Sequence, residues 1–235
     1  MTAKIDLHDH YKKMWDTSFN LFEEGAYELD PLIDVKDDTR YGVTLLARLS
    51  PEVKENILKF LDKLKLHEPG QYFYPASDLH ITVMSFISCY AGFHLNMIKV
   101  EEYVSLIQSI TAKLAAFQVH FSGITASPSC IMVQGFPNGD SLQELRDELR
   151  VAFKDSGLQQ TMDTRYTIVT AHSTVLRFKE LPTNSKVFNE VLEKYRDHDF
   201  GTALVHEVEL VSNDWYQRQN MVKQLAKLKL LQEVR

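Results

Sequence analysis

Residues 79–86 read LHITVMSF and residues 171–178 read AHSTVLRF. Each is an apolar, β-rich run interrupted by a histidine and a threonine two positions apart, His80 with Thr82 and His172 with Thr174. On a strand, residues i and i+2 share a face. Each run therefore presents an imidazole and a hydroxyl together, with Ile81 and Ser173 pointing the other way. Burying such a pair on a core strand costs free energy unless partners meet it. Two strands built this way predict a polar cleft between them.

The chemistry that wants this pattern is cleavage of a phosphoester by in-line attack. One side of the phosphorus needs a base and the other an acid, and two imidazoles titrating near neutrality fill both roles. The hydroxyls of Thr82 and Thr174 can donate to the nonbridging oxygens, where charge must be stabilised. His80, Thr82, His172 and Thr174 are thus the candidate catalytic residues. The pattern leaves open which histidine is the base. It requires no metal, and no cofactor is expected.

Working outward, residues 9–24 carry Tyr11, Met14, Trp15, Phe19 and Phe22 at helical spacing, with Gly25 as a stop. This helix is expected to pack outside the catalytic unit. A first strand is expected over 41–49. Ser50-Pro51 starts a helix, a cap residue followed by proline at the first position, with Val53, Ile57, Phe60, Leu61 and Leu64 on its buried stripe. Pro69-Gly70 and Pro75 break the next loop. A buried strand over 79–88, a helix over 100–115 and strands over 116–124 and 129–136 follow. Ser141 and Glu144 form a capping-box pattern before a helix to Phe153. The second motif is expected in the middle of a strand over 166–178. A helix over 185–195 and one strand over 203–211 come next, while residues 221–231 are ambiguous between helix and strand.

The motif strand arrives twice, each time after a helix packed beside an earlier strand. There is no residue-level repeat, but the plan repeats, which predicts an α+β fold of two sandwiched lobes. Residues 1–40 are read as an N-terminal helical extension and residues 41–235 as the bilobal domain.

Among the other polar residues, His120-Phe121-Ser122 imitates half a motif, but its flanks lack the matching upstream helix, and it is expected outside the site. His8 and His10 are read as a solvated terminus in preference to a metal site, because no third ligand is visible. His67, His94, His198 and His206 are isolated, and residues 135–141 make a turn rather than a phosphate loop. Tyr72, Phe73, Tyr74 and Tyr90 flank the first motif, where an aromatic ring could stack on a nucleobase. Arg48, Arg165 and Arg177 are candidate phosphate-holding cations. Tyr74, Tyr90 and Arg165 are carried forward as substrate-binding candidates.

Taken with its flanks, the sequence resembles the 2H phosphoesterase superfamily, which includes bacterial 2′-5′ RNA ligases and 2′,3′-cyclic nucleotide phosphodiesterases. The resemblance spans residues 41–230. YGVTLLARLSPEVKENILKFL is similar to the opening strand and helix of that family, and YPASDLHITVMSF to its first motif. TRYTIVTAHSTVLRF is similar to the second motif, and HEVELVSNDWYQ to the strand and loop after it. Ala171 stands where the family often places proline. The resemblance implies two pseudo-symmetric lobes, each an antiparallel sheet with helices outside, around a central cleft that takes one motif from each lobe. It implies action on cyclic phosphates or 2′-5′-linked nucleotides, with a nucleotide or an RNA-end phosphate as partner.

Composition is consistent with this reading. The chain has 235 residues, 44% hydrophobic and 25% charged, with a formal net charge of -6. That balance argues against coating long nucleic acids through a broad basic surface, while leaving room for a local phosphate pocket. Two cysteines make no disulfide framework and no zinc spacing, and they are read as reduced, partly buried thiols. The N-terminus has no apolar signal region and no run is long enough to span a bilayer, so a cytoplasmic protein without membrane association or a stable protein partner is expected. Two other classes compete: a nucleotide- or RNA-binding module of the same fold with little turnover, and a metal hydrolase built on His8 and His10.

Overall fold

In the computed structural model, which describes residues 5–231, the strands form two antiparallel sheets with five helices on their outer faces. The chain runs α1 (Leu7–Glu23), β1 (Arg40–Arg48), α2 (Pro51–Lys65), β2 (Tyr72–Phe73), β3 (His80–Ala91) and α3 (Val100–Thr111). It continues with β4 (Phe117–Ser127), β5 (Cys130–Pro137), α4 (Ser141–Ser156), β6 (Ser173–Arg177), α5 (Ser185–Lys194), β7 (Asp199–Val205), β8 (Glu207–Asp214) and β9 (Lys223–Lys229). One sheet has the order β3-β1-β8-β9 and the other β2-β6-β5-β4-β7. The α+β class and the paired sheets are as the motifs predict.

Local sequence explains most of these elements. Ser50 caps α2 through its hydroxyl, which accepts from the Val53 N–H, and Pro51 takes the first helical position. The stripe Val53, Ile57, Phe60, Leu61 and Leu64 is fully buried, each side chain adding roughly 1.5–3 kcal/mol of transfer free energy. The ambiguous tail is β9, antiparallel to β8. Being an edge strand, it carries lysines outward, and Lys227 sits 3.2 Å from Glu207 and 3.4 Å from Glu209.

Four expectations are corrected. The residue at the N-cap of α4 is Asp140, and Ser141 already lies inside the helix, so Ser141 is not the cap. The strand expected over 203–211 is two strands in different sheets. β7 pairs with β4, β8 pairs with β1, and the chain changes sheet at His206. A continuous β-rich run hides such a crossing, because apolar residues on either side of the switch both face a core. The strand expected over 166–178 shrinks to β6, and residues 157–172 cross the cleft without regular structure. Some of their backbone groups go to side chains instead, Ile168 N–H to Asp163 and Ile168 C=O to Arg150, while the Thr161 hydroxyl accepts from Ser88 N–H of β3. Finally, α1 starts at Leu7 with Asp6 as cap, so His8 and His10 lie on the helix rather than on a solvated end. The His8 ring stacks on Phe136 at 4.3 Å.

α1 packs along β4. Tyr11, Trp15 and Phe22 are buried, the Ser18 hydroxyl donates to Ala126 C=O, and the Thr125 hydroxyl donates to Tyr11 C=O.

Candidate active site

β3 pairs with β1, which places His80 opposite Arg48 and Thr82 opposite Leu46. β6 pairs with β5, which places Thr174 opposite Met132 and Ser173 opposite Val133. β3 and β6 approach each other across a cleft of about 620 Å³, a size suited to a small organic ligand. His80, Thr82, His172 and Thr174 all line it. Ile81 and Ser173 point into the core on the opposite faces, as period two demands.

The two imidazoles are held differently. His80 Nδ1 lies 2.6 Å from the backbone carbonyl of Asp78. A carbonyl only accepts, so Nδ1 carries the proton and Nε2 is left with a lone pair. His172 Nδ1 lies 2.7 Å from the Thr170 hydroxyl, which can donate or accept and so tolerates either ring form. Burial holds His80 down at about 4, against its ordinary 6.5, with Arg48 and Arg177 pushing the same way while the bond to Asp78 opposes them. His172 is also down at about 4, through burial first and then through its neighbours Arg146, His80, Arg177 and His10, beside which a protonated ring is disfavoured. Burial in the cleft therefore favours two neutral imidazoles at neutral pH, and a bound phosphate anion would pull both values up.

Of the substrate-binding candidates, Tyr74 and Arg165 line the cleft and Tyr90 does not. The Tyr90 ring packs against Phe93 and its hydroxyl accepts from Gln159, on an exposed shoulder. Tyr74 is buried, its phenol pushed up to about 12 by that burial, and its hydroxyl accepts from Arg177 Nε at 2.9 Å. Arg177 also lines the cleft, whereas Arg48 is consumed by Glu209 and Ser77 C=O and does not. His120 is outside, paired with Thr202 on β7. His10 and Met14 of α1 are on the wall. Cys89 and Cys130 are both free, buried thiols that line the same cleft.

Sequence reasoning missed Trp215. It lines the cleft just past β8, with Arg165 at 4.6 Å, Arg40 at 5.1 Å and Arg177 at 5.9 Å from its ring. Three guanidiniums around one indole make an aromatic, cationic wall. The signal was a lone tryptophan in the polar stretch 212–219 after a buried strand. Arg146 and Tyr11 were also missed, because a buried cation and a buried phenol carry no local pattern.

With this geometry in view, the comparisons decide the family. The sequence profile of the 2′-5′ RNA ligase superfamily matches residues 53–216. The chain belongs to that superfamily, the 2H phosphoesterases. No curated protein matches the sequence. The fold is similar to TT0787 of Thermus thermophilus, with a TM-score of 0.60 and 16% identity over 82% of this chain and 99% of that one. It is likewise similar to E. coli LigT complexed with 3′-AMP, with a TM-score of 0.57 and 17% identity over 82% of this chain and 99% of that one. A conserved protein of unknown function from Agrobacterium tumefaciens, ATU0111, gives 0.52 and 17% over 84% of this chain and 92% of that one. At these identities the likeness speaks for the 2H phosphoesterase fold. Within that fold, α1 lies outside the matched span.

Proposed function

We propose that this chain is a phosphoesterase acting on 2′,3′-cyclic phosphates or on 2′-5′-linked nucleotide or RNA substrates, by acid–base catalysis between His80 and His172. The observation that carries the reading is that both histidine–threonine pairs, from two different sheets, line one cleft. In the hydrolytic direction, water attacks phosphorus and the bond to one ribose oxygen breaks. His80 Nε2 takes the water proton and His172 gives its proton to the departing ribose oxygen. The pair then resets by exchanging one proton each with solvent. Thr82 and Thr174 donate to the nonbridging oxygens, and Arg177 and Arg165 supply positive charge to the bound anion. Trp215 offers a face for a nucleobase.

No step needs a metal. Among the described residues no cluster of three or more histidine, cysteine or carboxylate side chains could hold one. Among the described residues no helix is long and apolar enough to cross a membrane, in keeping with a substrate taken from solution. The deciding experiment is a screen of 2′,3′-cyclic nucleotides, cyclic-phosphate-ended RNA and 2′-5′ oligoadenylates, with wild type, His80→Ala and His172→Ala, in chelator. Turnover of one class that both substitutions abolish is the expected result. Tight binding without turnover of any of them would instead make the chain a binding module.

A further inference from the structure

His172 sits one residue before β6, so the sheet ladder does not hold the segment that carries it. Two side chains do. The Tyr11 hydroxyl accepts from the Ala171 N–H at 3.2 Å and the Gly135 N–H at 3.3 Å, and donates to Gly135 C=O at 3.1 Å. That saturates the hydroxyl. Arg146 Nη2 donates to Thr170 C=O at 2.7 Å and to Thr82 C=O at 3.0 Å, while its Nε donates to Val83 C=O at 3.0 Å. Both side chains are 1% exposed.

The arrangement is specific. Arg146 ties the first motif strand, at Thr82 and Val83, directly to the residue two before His172. Among the described residues it has no carboxylate within ion-pair distance. Its buried charge rests on three backbone carbonyls instead, so its removal would leave those acceptors bare. Tyr11 fixes the next residue, Ala171, to β5. Thr170 and Ala171 are thus held from two helices, α4 and α1, and α1 lies wholly outside the span that the family profile matches.

We propose that Tyr11 and Arg146 are positioning residues that form one buried brace, setting His172 against His80. Neither touches substrate. Their effect on turnover rests on the acid–base reading above, but their effect on the imidazole does not. The N-terminal helix then supports the catalytic centre through the Tyr11 hydroxyl, beside the stretch of cleft wall that its His10 and Met14 supply.

The test uses the full chain with Tyr11→Phe, which keeps the ring packing and removes only the oxygen, and Arg146→Lys, which keeps the charge and loses the planar fork. Histidine-selective nitrogen-15 NMR and steady-state kinetics on a 2′,3′-cyclic nucleotide are recorded for each. In Tyr11→Phe, the His172 ring signals should shift while those of His80 stay. kcat should fall about ten- to a hundredfold with KM within about twofold, the cost of a small misplacement of a reacting group. In Arg146→Lys both imidazoles should move, because both motif segments lose a bond. The pH limbs should stay in place, since a cation remains at position 146 and the other groups facing His172, namely His80, Arg177 and His10, are all retained. Unchanged His172 signals and rates in both variants, even with a lower melting temperature, would reduce the pair to ordinary core residues and overturn the brace. Should wild type turn over no substrate, the functional reading fails, and the NMR comparison still decides the brace.

Discussion

His80 Nδ1 donates its proton to the Asp78 carbonyl oxygen 2.6 Å away, so one member of the proposed catalytic pair has a fixed ring form. His172 has a hydroxyl in the same place and is free to carry a proton on either nitrogen or both. This asymmetry underlies the proposed roles, in which His80 accepts and His172 donates. A substrate whose leaving group needs no proton distinguishes them. With a p-nitrophenyl phosphodiester, His172→Ala should regain most of the activity it loses on a ribose leaving group, whereas His80→Ala should stay down about 10²–10⁴-fold. The opposite pattern of rescue would reverse the assignment.

The pH profile follows from the same site. Burial holds both imidazoles at about 4 in the free protein. The productive form has one neutral and one charged ring, and the two apparent values belong to the coupled pair. kcat/KM, which reports the free protein, should therefore peak on the acid side of 6.5, below the ordinary imidazole range that the motifs alone suggest. kcat, which reports the complex, should peak at higher pH, because bound phosphate favours the charged ring. Coincident peaks near 7 would mean that the cleft does not desolvate its histidines.

Stability should carry the same signature. Between about 4 and 6.5 the unfolded chain protonates both histidines and the folded chain does not. The unfolded state then binds more protons, so stability rises with pH through that window and is lost as pH falls through it. Thermal melts from pH 7 to pH 4.5 should fall less for His80→Ala and His172→Ala than for wild type. Inorganic phosphate should raise the wild-type melting temperature most at the acid end. Parallel curves for all three proteins would count against neutral, buried imidazoles.

Gly135 gives a prediction about backbone approach. A Cβ built there would lie 2.1 Å from Ala171 C=O, a collision with main chain that no side-chain rotation relieves. Gly135→Ala should cost on the order of 1–3 kcal/mol of stability and displace the residue before His172. Denaturant melts should show the loss, and turnover should drop with it. A variant as stable and active as wild type would mean that this segment yields easily.

Chelation is the plainest check. Activity in EDTA should match activity without it across the pH range. Loss with chelator and return with an added divalent ion would point to a metal-bound hydroxide.

Much of this was legible before the structure, and the reason is periodicity. Polar residues at i and i+2 in an apolar run say which face a strand shows to a cleft, and His80, Thr82, His172 and Thr174 all stand where that rule puts them. The proline and serine at 50–51 likewise placed α2 to the residue. Long-range decisions were not legible. Nothing local at His206 announces a change of sheet, because the strands on both sides send apolar residues into the same buried cluster. The stretch 166–172 is rich in β-formers, yet its backbone is satisfied by Arg146, Arg150, Asp163 and Tyr11, which come from elsewhere in the chain. Trp215 and Arg165 meet only after folding, and Tyr90, near the motif in sequence, turns away onto Phe93.

The crossing at His206 has an effect on how the molecule comes into being. β1 lies in the middle of its sheet, between β3 and β8, with Leu45 opposite Leu210. That inner strand, Arg40–Arg48, has an unfilled flank until β8, which begins only at Glu207, is available. Contacts between such distant parts close slowly. On a ribosome the first histidine would leave the tunnel long before its sheet could be completed. Competence would wait for β8 and come all at once, and a fragment ending before β8 would have no half-strength version of the site to offer.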